Sequence, residues 1–84
     1  MTIAKKEKIK LLKGLLEGVH KSFVNYECAL ETNSLLIQGY LKDKKKNKDK
    51  IRVAEEMIEA RKGQLKELTI FEGVIEEKLK KLEK

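Results

Sequence analysis

The chain has 84 residues, 40% of them charged and only 5% aromatic, with a formal net charge of +6. That length limits it to one domain, residues 1–84, whose core is thin for a monomer. One cysteine excludes an intrachain disulfide, and one histidine leaves too few ligands for a Cys/His zinc site.

At the N-terminus, Lys5, Lys6, Lys8 and Lys10 are followed by Leu11-Leu12 and then Lys13-Gly14, which is no signal-peptide pattern. No stretch approaches the roughly 18 apolar residues of a membrane span. With a lone thiol, these features predict a cytoplasmic protein without a membrane partner.

The first arm, about residues 3–42, carries an a/d heptad stripe: Ile9, Leu12, Leu16, Val19, Phe23, Tyr26, Leu30, Asn33, Ile37 and Tyr40. Nine of these ten are apolar or aromatic, so one face of a helix lies against a partner along its whole length. The flanking g positions Leu15, Ser22, Ala29 and Leu36 widen the face beyond a two-stranded seam. Thr32-Asn33-Ser34 are weak helix formers in a row, and a split of this arm into two helices is an alternative.

Lys42–Lys50 contains nothing apolar and reads as a solvated turn, with Asn47 or Asp49 capping the second helix. The heptad phase nevertheless runs through it unbroken, so a single uninterrupted helix stays open as a second alternative. The second arm, about residues 49–83, repeats the stripe as Ile51, Ala54, Ile58, Arg61, Leu65, Leu68, Glu72, Ile75, Leu79 and Leu82. Met57 and Phe71 are expected to widen it on one side, and Val53, Ala60 and Val74 on the other.

The expected architecture is therefore all-α: an antiparallel, coiled-coil-like helical hairpin. Its surplus apolar surface predicts a homodimer forming a four-helix bundle, or a strip kept for a different protein. Centring the hairpin on Lys46 sets His20 opposite Glu72, read as a partly exposed bridge rather than an acid–base pair. The same register sets Arg61 opposite Glu31 near Asn33, a polar layer of the kind that fixes register. Tyr26 and Tyr40 read as structural, and Cys28 as an outward, unactivated thiol. Gly14 and Gly18 have the spacing that admits a closely crossing helix or partner backbone.

Charge alternates along the chain. Residues 1–13 carry +4, 14–41 carry −2, 42–52 carry +5, 53–77 carry −4 and 78–84 carry +3. Folded as a hairpin, this makes a rod with two basic tips and an acidic waist.

No catalytic set, phosphate loop or metal-ligand cluster stands out, so no enzyme activity, cofactor or small-molecule substrate is expected. The leading expectation is a protein-interaction module, an adaptor, regulator or inhibitor of the size of a phage- or plasmid-type accessory protein. The candidate face is Leu35, Leu36, Ile37, Tyr40, Leu41, Val53, Met57 and Phe71. The other expectation is a nucleic-acid-associated protein touching phosphates through Lys44, Lys45, Lys46, Lys48, Lys50 and Arg52. Eighteen of the twenty basic residues are Lys, and no aromatic is interleaved with the clusters, which weakens that second expectation.

Overall fold

The computed structural model describes residues 3–84. Two long helices, α1 (Lys5–Tyr40) and α2 (Lys48–Leu82), run antiparallel and are joined by a 3-10 turn, Leu41–Asp43, and a four-residue reversal. The extents are 60 × 22 × 15 Å. The radius of gyration is 18.8 Å, against about 12 Å for a compact domain of this length. The molecule is a rod.

The heptad stripes set the packing. All ten positions of each stripe are buried or half-buried, and among the described residues only Ser22, Ala29 and Asn47 outside the stripes share that state. The best-packed part lies near the termini. There Leu12, Val19, Ile75 and Leu79 form a buried cluster flanked by Ile9, Leu16, Phe23, Leu68 and Leu82. Ile75, at 2% exposure, is the most deeply buried. Nearer the turn the buried residues are Asn33, Ile51 and Ala54, one of them polar and one small.

The reversal shows why the uninterrupted helix does not form. The Asp43 carboxylate accepts the Lys46 N–H at 3.3 Å, and the Asn47 N–H reaches the Asp43 carbonyl at 3.1 Å. Asn47 occupies the position before α2, as expected, but its side chain makes no cap bond. Its Nδ2 donates instead to the Tyr40 carbonyl at 3.1 Å, satisfying one of the acceptors left over at the end of α1. One amide thus ties the two helix ends together.

The alternative of a split first arm is also absent: α1 is continuous through Thr32-Asn33-Ser34. The Thr32 hydroxyl donates to the Cys28 carbonyl one turn back, at 2.8 Å, and so adds a bond within the helix. Asn33, at 7% exposure, sits in the seam. Packing against α2 holds residues whose intrinsic preference alone favours a turn. α1 is slightly shorter than the arm read from sequence, ending at Tyr40, while α2 keeps the expected length and begins one residue earlier, at Lys48.

Candidate functional site

In an antiparallel pair, the g positions of one helix face the g positions of the other, and the e positions likewise meet on the opposite edge. The Lys13–Glu83 pair, at 3.8 Å, joins two e positions and marks that edge. The c position lies beside g on the same flank of a helix. Leu11, Leu15, Gly18, Ser22, Asn25, Ala29, Thr32, Leu36 and Gly39 therefore form one flank of α1, without a charge between Leu11 and Gly39. On α2 the matching flank carries Val53, Met57, Ala60, Gln64, Phe71 and Val74, interrupted by Glu67. The two flanks face the same way and make one broad, nearly uncharged face.

The opposite flanks are charged. They carry Lys10, Lys13, Glu17, Glu27 and Glu31 on α1, and Arg52, Glu55, Glu59, Lys62, Lys66 and Glu76 on α2. The ion pairs Arg52–Glu56 and Lys62–Glu59, both at 3.7 Å, lie on the outer surface of α2. Exposed pairs of this kind contribute little to stability and mainly keep the surface solvated.

Two grooves open on this nearly uncharged face, with Glu7 and Lys10 among the residues lining one and Asp49 and Lys50 among those lining the other. The larger, about 950 Å³, lies at the terminal end between Leu11, Gly14, Leu15 and Gly18 of α1 and Leu68 and Phe71 of α2. A Cβ added at Gly14 or Gly18 would meet nothing within 4 Å. The glycines therefore do not make room for the hairpin's own second helix; they hollow the outer wall. The smaller groove, about 310 Å³, lies near the turn and is walled by Asn33, Leu36, Tyr40, Val53 and Met57.

Of the candidate face read from sequence, Leu36, Val53, Met57 and Phe71 come together on this one side, each between 44% and 47% exposed. Val53 walls the same groove as Met57, so the c positions widen the g flank and not a second one, contrary to expectation. Ile37 and Tyr40 are half-buried in the seam, and only Tyr40 of the two reaches a groove. Leu35, 62% exposed, sits at the outward f position, and Leu41 belongs to the 3-10 turn on the e side. The structure does not bring these two to the others.

Leu11, Leu15, Gly14, Gly18 and Val74 lie at the terminal end of the same face, and the sequence reasoning missed them as part of it. Their signal was present in the sequence, since most of them share the c or g positions of Leu36 and Met57.

The basic residues of the turn, Lys44, Lys45, Lys46, Lys48, Lys50 and Arg52, are all exposed. Lys50 Nζ stands 5.7 Å from the centroid of the Tyr40 ring, a cation–π distance. Arg52 pairs with Glu56. The other four make no ion pair among the described residues.

His20 and Glu72 meet as the register predicts, with Nε2 3.0 Å from Oε2 and side-chain exposures of 57% and 26%. This is a bridge at the edge of the seam. The expected Arg61–Glu31 layer is not formed. Arg61 Nη1 donates to Gln64 Oε1 at 3.0 Å, and the guanidinium lies 5.5 Å from the centroid of the Tyr26 ring. The seam aromatic Tyr26 of α1 takes the cation at cation–π distance, while Glu31 stays in solvent. Cys28 is free and exposed.

Among the described residues, no three of His, Cys, Asp or Glu are grouped closely enough to hold a metal ion. No described helix is long and apolar enough to cross a membrane. No protein-family model matches the chain, and no curated protein or solved structure matches it either.

Proposed function

We propose that the hairpin is a non-enzymatic interaction module, an adaptor, regulator or inhibitor, which takes a helix of another polypeptide on its uncharged c/g face. The observation that carries this reading is the segregation of charge. Two amphipathic helices that need only bury a seam against each other have no use for a second stripe free of charge on one flank. Here such a stripe runs along α1 and, interrupted by Glu67, along α2, faces one way, and holds exposed Leu11, Leu15, Leu36, Val53, Met57, Phe71 and Val74. Clusters of exposed apolar side chains of this kind mark association sites in soluble proteins. Met57 adds an adaptable contact, since an unbranched thioether side chain fits more than one shape of partner.

The test replaces Leu36 and Met57 by Glu. Both side chains are exposed, so helix content by circular dichroism is expected to stay as in wild type. Association, whether with a captured protein or with another copy, is expected to disappear. Unchanged mass by light scattering together with unchanged capture on an affinity column would overturn the reading.

The turn supports a second reading, nucleic-acid association through phosphate contacts. Lys44, Lys45, Lys46 and Lys48 project from one tip without carboxylate partners, and such a cluster attracts a polyanion in a salt-dependent way. Changing these four to Gln is expected to abolish retention on generic DNA or RNA at low salt. Absence of salt-sensitive retention of the wild-type chain would remove the reading.

A further inference from the structure

Resting on the interaction-module reading, we infer that the occupant of the c/g face is an amphipathic helix of another polypeptide, acidic at both ends of its apolar stripe and carrying a Lys or Arg between them.

Charge complementarity carries this. At the terminal end the c and g columns begin with Lys8, Lys78 and Lys81, and at the turn end with Lys50. Lys81 is tied to Glu77, while Lys8 and Lys78 make no ion pair among the described residues. Glu7 and Asp49 also stand at the groove margins. The surroundings nevertheless stay basic, since residues 1–13 and 78–84 carry +4 and +3 at one end and residues 42–52 carry +5 at the other. Between these ends the same columns hold uncharged side chains and a single charge, Glu67.

Glu67 is the informative residue. It is exposed and makes no ion pair among the described residues. The residues three and four away on its own helix are Gly63, Gln64, Ile70 and Phe71. The flank of α1 at that level carries Ser22, Asn25 and Ala29, so no cation stands beside it on this face. Lys62 and Lys66 belong to the opposite flank, where Lys62 pairs with Glu59. A purely apolar occupant would strip water from an unpaired carboxylate, which is costly. An occupant that covers the whole face therefore brings a cation to Glu67.

Spacing sharpens the description. Along α2, Glu67 lies about 17 Å from Lys78 and about 26 Å from Lys50. A matching helix thus carries its Lys or Arg about 11 residues from one acidic end and about 17 from the other. The off-centre cation fixes which end of the partner lies at the turn. Its apolar stripe lies in the channel between α1 and α2, with anchors at helical spacing, as amphipathic helices dock in grooves. A second copy of this chain does not match, because its own face is basic at both ends and presents a carboxylate where a cation is required.

The test uses two synthetic helical peptides of about 28 residues that share one apolar heptad stripe. The matched peptide has Glu at both ends and Arg about 11 residues from one of them; the swapped peptide has Lys at both ends and Glu in place of the Arg. By fluorescence anisotropy at low salt, the matched peptide is expected to bind wild type at least about tenfold more tightly than the swapped one, a difference that shrinks as salt is added. Glu67→Lys lies on the exposed surface and is expected to keep full helix content. It should weaken the matched peptide and favour a third peptide that differs from it only by Glu in place of the Arg. Equal affinity for matched and swapped peptides, lost for both on Leu36→Glu with Met57→Glu, would overturn the charge pattern and leave the interaction-module reading standing. Matched-peptide binding unchanged by Glu67→Lys would overturn the central cation. Binding of neither peptide would overturn this occupant, and the interaction-module reading would then stand or fall with loss of capture on Leu36→Glu with Met57→Glu.

Discussion

The two ends of the rod are built differently. Toward the termini, the seam is a continuous aliphatic cluster of Leu12, Val19, Ile75 and Leu79. Toward the turn, the buried residues are Ile51, Ala54 and the amide Asn33. Chain connectivity explains the contrast. Residues beside a reversal are held together by a short loop, and bringing them into contact costs little entropy. The terminal ends of the two helices have no loop between them and are held chiefly by apolar burial. The buried aliphatic side chains are therefore concentrated where topology helps least, while large apolar side chains stay exposed on the outer face at both ends.

The contrast can be broken by substitution. Ile75→Ala removes the most buried side chain at the free ends, and a loss of about 2–5 kcal/mol is expected. Thermal unfolding followed by circular dichroism would show a large drop in Tm or loss of a cooperative transition. Ile51→Ala, beside the turn, is expected to cost near the lower limit, about 2 kcal/mol, because the loop keeps that end closed and the seam there is already loosely filled. Equal losses at the two sites would erase the distinction between the ends.

Smaller effects sharpen it. Gly63 lies on the exposed surface of α2, where an added Cβ meets nothing within 4 Å. Gly63→Ala is expected to stabilise by about 0.5–1 kcal/mol through helix propensity alone, read as a modest rise in denaturation midpoint. A fall would mean that the surface there is occupied. His20→Ala should change stability least, by no more than about 1 kcal/mol, because the bridge to Glu72 is largely in solvent. A loss comparable to that of Ile75→Ala would move the bridge from the edge of the seam into its foundation.

Much of this was legible in the residues themselves. The stripes from Ile9 to Tyr40 and from Ile51 to Leu82 are the seam, position by position, because a period of three and four leaves a helix only one way to bury its apolar side chains. The meeting of His20 with Glu72 came from the same register. What escaped were matters of competition between local partners. Asn47 was expected to cap α2 with its side chain and instead reaches back to Tyr40, a choice set by how near the two helix ends come. Arg61 was expected to pair with Glu31, yet the Tyr26 ring across the seam and the Gln64 amide on its own helix satisfy it. Thr32, a poor helix former on average, is accommodated by its own back-bond to Cys28.

The candidate face was half legible. The run Leu35–Leu41 is apolar nearly all round, and apolarity alone, without the heptad position of each residue, does not say which of its members share a side. Leu36 and Tyr40 line the groove, Leu35 points away, and Leu41 leaves the helix altogether. Only the antiparallel pairing of the flanks joins Leu36 to Met57 and, further along, Leu11 and Leu15 to Phe71.

The separation of seam from flank has a consequence for variation. Positions that hold the helices together and positions proposed to meet a partner occupy different columns of the same seven-residue repeat. Substitutions in the c and g columns can therefore rewrite specificity while the a and d columns keep the scaffold standing. A hairpin of this design is a handle whose grip can be recut without reforging the shaft.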